Sequence, residues 1–268
     1  MSVSVVIPFY NSSDTLERAL RSVAAQTRRV EEIIVVDDGS VTEERERLRA
    51  LLARYPSVTL LVLPDNRGAG SARNAGWEAA SSTWVAFLDS DDAWHPRKIE
   101  VLFRSLLELD SPPPAVASRT IHATSLEEFG AIQISNTLLT RWIGSKQLLW
   151  RNRFSTPSVI VRRDLSVRFG VGRRFSEDYE LWMIIAGRSG PIFYIDAPLA
   201  AIFKPAYGAS GLSSKIWSMS VGEFSAYHGA WKVGAISWSQ YALGSLWSLV
   251  RSGLRLLRLS LRIVGLRR

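Results

Sequence analysis

The sequence predicts an α/β fold built on a mostly parallel sheet flanked by helices. Two observations carry that expectation. Between residues 3 and 92, apolar runs of strand length alternate with segments of helical periodicity. Each apolar run also closes on polar residues, and in open parallel sheets ligands bind outside the carboxyl ends of the strands.

Val3 to Ile7 is a continuous β-branched run suited to a strand buried on both faces. Asp14 to Gln26 follows with Leu16, Leu20 and Val23 at helical spacing, and Asp14 with Glu17 has the form of a capping box. Glu32 to Val36 reads as the second strand, ending on Asp37-Asp38-Gly39-Ser40. A charged helix with Leu48, Leu51 and Leu52 on one face leads to Pro56. Val58 to Leu63 is the third strand, residues 69–81 an Ala-rich helix, and Trp84 to Leu88 the fourth strand, with a helix starting near Pro96. Strands separated by helices imply right-handed parallel crossovers.

Ser111-Pro112-Pro113-Pro114 ends this regular half. Beyond it, Ala115 to Ile121 and Ser158 to Val161 read as strands and Leu138 to Trp150 as one or two short helices. Ser176 reads as the N-cap of a helix through about Ala186, with Glu177 and Asp178 as acids in its first turn. No internal repeat is present.

The strand rule gathers scattered residues at one edge. Pro8 to Asn11 follow the first strand, Asp37 and Asp38 the second, Asn66 to Asn74 the third, and Asp89, Asp91 and Asp92 the fourth. In extended chain Asp89 and Asp91 point the same way, and two carboxylates at a strand end suit a hard cation such as Mg²⁺ or Mn²⁺ that shares its shell with substrate phosphates. Gly68-Ala69-Gly70-Ser71-Ala72-Arg73 lacks the third glycine of a dinucleotide fingerprint and follows the third strand, which disfavours an NAD site. Glycines there let backbone approach a ligand, and Arg73 reaches toward an anionic group.

Composition bounds these readings. A chain of 268 residues that is 47% hydrophobic can bury the core of one large domain, and the absence of cysteine excludes disulfides and thiolate metal sites. Met1 to Pro8 enters a strand at once, so no secretory leader is expected. Of the net charge of +8, seven units lie in residues 215–268, where eight Lys/Arg meet one acid, Glu223. The body is nearly neutral, which argues against nucleic acid as a partner.

Val5-Val6-Ile7-Pro8-Phe9-Tyr10-Asn11, Val35 to Ser40, Asn66 to Asn74, Phe87 to Asp92 and Ser176 to Trp182 together resemble family 2 glycosyltransferases. The resemblance runs from residue 3 to about residue 205 and implies a GT-A fold, a nucleotide-diphosphate sugar donor, a divalent metal (Mn²⁺ or Mg²⁺) and inversion at the anomeric carbon. It implies a catalytic domain over 1–213, with a nucleotide-sugar half (1–110) and an acceptor half (111–213). Carried over by motif, Pro8 and Tyr10 line the base pocket, Asp37 and Asp38 belong to the nucleotide site, and Asp38 accepts from a uracil-like edge. Gly70 and Arg73 face the nucleotide, Asp89 and Asp91 form the metal motif, and Asp178 is the general base supported by Glu177. The short Phe169 to Phe175 lead-in departs from relatives that carry a longer loop over the acceptor. The expected function is sugar transfer to a saccharide or lipid-linked acceptor in cell-surface polysaccharide or glycolipid synthesis. The alternative is a silent nucleotide-sugar-binding scaffold at the membrane; a sugar-phosphate nucleotidyltransferase is disfavoured because no glycine-rich loop with a basic residue follows the first strand.

Residues 214–268 read as a helical tail. Between Lys232 and Arg251 run 18 uncharged residues, too polar for a comfortable span. Arg251, Arg255, Arg258 and Arg262 make one stripe beside a broad leucine face, with Trp217, Trp231, Trp238 and Trp247 upstream. That pattern suits peripheral contact with an anionic membrane, here the inner face of the cell membrane, or else packing on the catalytic domain or on a second subunit.

Overall fold

The structure, a computed structural model, describes residues 1–172, 175–203 and 212–263, with side chains except at 212–219 and 255–263. Strand β1 (Val3–Phe9), helix α1 (Ser13–Ala24), β2 (Glu32–Asp37), α2 (Thr42–Leu52), β3 (Val58–Val62), α3 (Ala69–Ala79) and β4 (Trp84–Phe87) follow the expected order. Then come β5 (Asp92–Trp94), α4 (Lys98–Leu107), β6 (Ala115–His122), α5 (Leu126–Gly130), β7 (Thr140–Ile143), α6 (Ser145–Leu148) and β8 (Val159–Arg162). The chain continues through α7 (Glu177–Ile184), a π turn at Ile185–Ser189, β9 (Ile192–Ile202), α8 (Leu212–Lys232) and α9 (Trp238–Ile263).

Among the described residues the strands form one sheet in the order β3-β2-β1-β4-β8-β6-β9-β5, with β7 paired to β9. The expected parallel sheet forms over β1 to β4, and beyond it β6 pairs parallel with β9 while the remaining pairings are antiparallel. β8 pairs antiparallel with both β4 and β6, and β9 pairs antiparallel with β5 and β7. The sheet is therefore mixed. β1 is buried along its whole length because both faces are covered. Val3, Val5, Ile7 and Phe9 pack with Leu16, Leu20 and Val23 of α1 and Leu48 of α2. Val6 packs on the opposite face with Trp77 of α3 and Phe87, in the core that also holds Phe169 and Trp182.

Three local expectations change. Thr140–Ile143, expected to be helical, is β7, because its backbone pairs with β9 from Thr140↔Ile195 to Ile143↔Ile192. β5 and β9 were not anticipated; Asp92–Trp94 becomes a strand through its pairing with Ile202–Ala200. The capping box at Asp14 and Glu17 does not form. Ser12 is the N-cap, without a side-chain cap bond, and Glu17 instead pairs with Arg54 at 3.0 Å.

The segment after residue 213 is not an appendage. Ala226, Tyr227 and Ala230 of α8, with Ala235 and Ile236 after it, join the same core as Tyr179, Leu181 and Trp182. Tyr227 is fully buried, and its hydroxyl donates to the Leu149 carbonyl at 2.6 Å and lies 3.1 Å from the Tyr179 hydroxyl. At Gly187 a Cβ would stand 2.0 Å from the Ala235 carbonyl oxygen, so the turn between α8 and α9 seats directly on the π turn. Arg251 pairs with Glu223 and donates to the Trp150 carbonyl at 2.7 Å, which removes it from the expected stripe. The side chains of Trp217, Arg255, Arg258 and Arg262 lie outside the described residues. Among the described residues no helix is long and apolar enough to cross a membrane.

Candidate active site

The loops after β1, β2, β3 and β4 converge, as the strand rule requires, on a cavity of about 720 Å³. Pro8, Tyr10, Asp38, Arg73, Asp89 and Asp91 line it. Its rim is knitted across the sheet edge. The Asn11 amide donates to Ser40 Oγ at 3.1 Å, the Val41 amide donates to Asn11 Oδ1 at 3.1 Å, and Ser12 Oγ and Ser90 Oγ lie 2.9 Å apart. Asn11 holds φ 46°, a left-handed conformation that asparagine tolerates better than most residues. Tyr10 is 49% exposed, leaving an aromatic face open at the cavity.

Asp37 and Asp38 separate in role. Asp37 is fully buried; its Oδ1 accepts from the Ser40 amide at 2.9 Å and its Oδ2 from Arg45 Nε at 2.9 Å. It shapes the turn and does not line the cavity. Asp38 does line it, and each carboxylate oxygen also accepts a loop amide, Arg67 at 2.9 Å and Gly68 at 2.8 Å. That clamp sets the course of the loop leading into α3. Gly70 likewise does not line the cavity. A Cβ there would meet the Gly170 carbonyl oxygen at 3.1 Å, so its missing side chain lets α3 approach the 169–170 segment.

Asp89 and Asp91 share the cavity wall, but not by strand alternation. β4 stops at Phe87, and a turn closed by the Asp92 amide on the Asp89 carbonyl at 3.0 Å carries Asp89, Ser90 and Asp91 together. Arg18 Nη2 fixes that turn by donating to the Asp91 carbonyl at 2.6 Å. The donor atoms offered are all oxygens, which suits a hard divalent ion completing its shell from phosphates and water. Among the described residues no group of three or more His, Cys, Asp or Glu gathers into an all-protein cage.

Arg73 is the hub. It is buried, with Nη2 on Asp89 Oδ1 at 2.6 Å and Nη1 on Glu177 Oε1 at 3.1 Å. Burial works against its charge, yet the Asp89 and Glu177 carboxylates more than offset this, and its pKa lies above the ordinary arginine value. Its guanidinium thus ties the aspartate turn to the start of α7 as well as lining the cavity. Ser176, expected to cap α7, has φ 61° and makes no side-chain cap bond. Left-handed backbone at a serine costs energy and is held by its surroundings, here by α8, whose Gly222 would touch Ser176 Oγ at 2.8 Å were it to gain a Cβ. The turn projects Glu177 toward Arg73 and leaves Asp178 beside them.

Asp178 is half-buried; its Oδ1 accepts from the Tyr179 amide at 2.7 Å and its Oδ2 from Asn152 Nδ2 at 3.2 Å. Desolvation first, then repulsion from Glu177, raises its carboxyl to about 6 against the opposing pull of Arg73. Asn152 was missed by the sequence reading. It lies in an irregular loop 26 residues away, with no motif to mark it.

Residues 4–171 match the family described as glycosyl transferase family 2. The succinoglycan biosynthesis protein ExoO of Rhizobium meliloti is 37% identical over 195 residues, covering 67% of this chain and 54% of that protein. The chain thus spans about half the length of that relative. The UDP-Glc:alpha-D-GlcNAc-diphosphoundecaprenol beta-1,3-glucosyltransferase WfgD of Escherichia coli is 28% identical, over 68% of this chain and 69% of that one. In fold, the chain resembles residues 1–349 of S. aureus TarS in complex with UDP-GlcNAc, with TM-score 0.61 and 18% identity over 85% of this chain and 66% of that one. It also resembles the mannosyltransferase PcManGT from Pyrobaculum calidifontis in complex with GDP-Man and Mn²⁺, with TM-score 0.64 and 18% identity over 96% and 74%. These likenesses show the GT-A fold.

Proposed function

Because the chain belongs to glycosyl transferase family 2, we propose that it moves a sugar, with inversion, from a nucleotide-diphosphate donor (UDP-type by preference) to an acceptor hydroxyl in cell-surface polysaccharide or glycolipid synthesis. The observation that carries this reading is the bridge made by Arg73. One guanidinium holds Asp89, on the cavity wall, and Glu177, next to the raised carboxylate of Asp178. A donor site and a base are thereby coupled in one rigid unit.

In this reading Tyr10 and Pro8 receive the base, and Asp38, which lines the same cavity, accepts a hydrogen bond from its uracil-like edge. Asp91, with Asp89 beside it, would hold Mn²⁺ or Mg²⁺, which when bound stabilises charge on the leaving diphosphate as a Lewis acid does. Asp178 takes the proton from the acceptor hydroxyl as that oxygen attacks the anomeric carbon from the opposite side. A carboxyl near 6 is ionised at neutral pH, yet basic enough to be useful. Glu177 keeps Arg73 oriented and, by repulsion, keeps Asp178 from becoming too weak a base. Direct displacement needs no nucleophile from the protein.

The test is turnover of a panel of nucleotide sugars with Mn²⁺ and with chelator, for the full chain and for Asp91→Ala. Metal-dependent turnover lost in Asp91→Ala, with the melting temperature kept, is expected. Donor affinity without any turnover would favour the silent scaffold, and full activity in chelator would remove the metal role. For location, we place the enzyme on the cytoplasmic face of the membrane. Leu243, Leu246, Leu249 and Val250 of α9 are exposed, and the sequence beyond them is rich in arginine.

A further inference from the structure

A second cavity, of about 440 Å³, meets this site through Asn152, the residue that donates to Asp178. Four arginines line it: Arg119 from β6, Arg141 from β7, and Arg151 and Arg153 from the loop after α6. Asp196 of β9 is the acid among its lining residues, 3.4 Å from Arg119 Nε and 3.3 Å from Arg141 Nη2. Among the described residues no carboxylate lies within ion-pair distance of Arg151 or Arg153. The cavity therefore carries an excess of three positive charges in a chain whose body is close to neutral.

Such crowding has a cost. Burial, then Arg151 and Arg141, push the Arg153 guanidinium below its ordinary pKa. Arginine does not relieve repulsion by losing its proton at neutral pH; an anion relieves it. The arrangement is also pre-formed. β6 and β7 both pair with β9, in register Arg141↔Tyr194, so the sheet itself spaces Arg119, Asp196 and Arg141. The Arg141 guanidinium is further seated over the Tyr194 ring at 5.3 Å. Pre-formed donors spend less binding energy on being ordered.

We propose that this cavity is an acceptor subsite for a diphosphate group, so that the acceptor is a sugar carried on a diphosphate ester. The inference rests on the transferase reading above and adds the acceptor's chemical class. Asp196 already shows what a single carboxylate does here, since it spans Arg119 and Arg141 and leaves Arg151 and Arg153 unmatched. A diphosphate brings two or more charges and enough oxygens for several guanidiniums at once. With that group held in the cavity, the attached sugar lies toward Asn152 and Asp178, where a ring hydroxyl can give up its proton. Asn152 then does two things: it orients the base and marks the boundary between sugar and diphosphate.

Calorimetric titration of inorganic pyrophosphate into the full chain, pre-saturated with UDP in metal-free buffer so that the titrant meets no Mn²⁺, tests this. One additional site is expected. Arg151→Gln and Arg141→Gln should each weaken it about tenfold or more, the loss expected for a charge-assisted contact, while the affinity for UDP stays unchanged. Arg151→Lys should recover part of the loss, because charge returns without the bidentate fork. Methyl glucuronoside, a carboxylate of sugar size, should bind at least about tenfold more weakly than pyrophosphate. No additional site, a site indifferent to both glutamine variants, or equal binding of the glucuronoside would each overturn the proposal. The arginine dependence reads on this cavity whether or not UDP binds, and none of these readings needs turnover. Failure here is therefore distinct from failure of the donor panel to show transfer.

Discussion

As the proposed base, Asp178 faces opposite demands on stability and on catalysis. Its carboxyl titrates near 3.8 when unfolded and near 6 in the fold, so the folded protein binds the extra proton between those values. Below pH 3.8 both states are protonated and the group contributes nothing either way. As pH rises through the window toward 6, the folded state progressively loses stability relative to the unfolded one, by up to about 3 kcal/mol. Asp178→Asn removes that penalty and can keep the bond from the Tyr179 amide. It should melt at a higher temperature than the parent at pH 7.5 and at the same temperature near pH 3.5, while kcat falls roughly 10²–10⁴-fold. In the parent, kcat should rise with pH through about 6, checked by a pH–rate profile. Arg73 behaves conversely. Arg73→Met keeps the bulk but leaves Asp89 and Glu177 facing each other without a cation, a loss of about 3–5 kcal/mol that a urea midpoint would read.

At the scale of elements, the site depends on how tightly α3 lies on β1. A Cβ on Gly76 would come 2.3 Å from Val6 Cγ1, inside the core that also holds Trp77 and Phe87. Because Arg73 sits one turn earlier on the same helix, lifting α3 also moves the guanidinium that joins Asp89 to Glu177. Gly76→Ala should therefore lower stability by about 1–3 kcal/mol with an unchanged urea m-value, and weaken donor binding as well. A purely local overpacking would show the first effect alone. Calorimetry of UDP binding separates the two.

For the whole molecule, the position of α8 decides what can be removed. Ending the chain after residue 213 would strip Ala226, Tyr227, Ala230 and Ile236 from the core and expose Tyr179 and Trp182. Fully burying one large apolar side chain contributes about 1.5–3 kcal/mol, against a total stability of about 5–15 kcal/mol. Such a truncation should be unfolded or aggregated by circular dichroism and size-exclusion chromatography. Ending after residue 254 keeps Ser248 and Arg251 on Glu223 and should leave the melting temperature nearly unchanged. If the arginine-rich end holds the protein on anionic lipid, that shorter chain should lose binding to acidic liposomes, and binding by the full chain should weaken with salt. Retained, salt-insensitive binding would locate membrane contact elsewhere.

By itself, the sequence determined the parallel half of the sheet, because β1 to β4 are short apolar runs whose turns and helices are coded locally. It also marked the sheet edge at which the larger described cavity opens, since every strand in that half delivers polar residues at its carboxyl end. Residue types near that edge were legible; their partners were not. Asp37 and Asp38 are adjacent in sequence, yet one is sealed around Arg45 and Ser40 while the other lines the cavity. Only the fold decides this, because β2 ends at Asp37, whose carboxylate turns inward to Arg45, while Asp38 opens the loop and meets the amides of Arg67 and Gly68. Arg73 looked like a ligand-facing cation, and the tertiary structure gave it two carboxylates from segments 16 and 104 residues away. Asn152, β5, β7 and the seat of α8 escaped notice for the same reason. Each owes its conformation to pairing or packing with residues distant in sequence, an energy that no local pattern records.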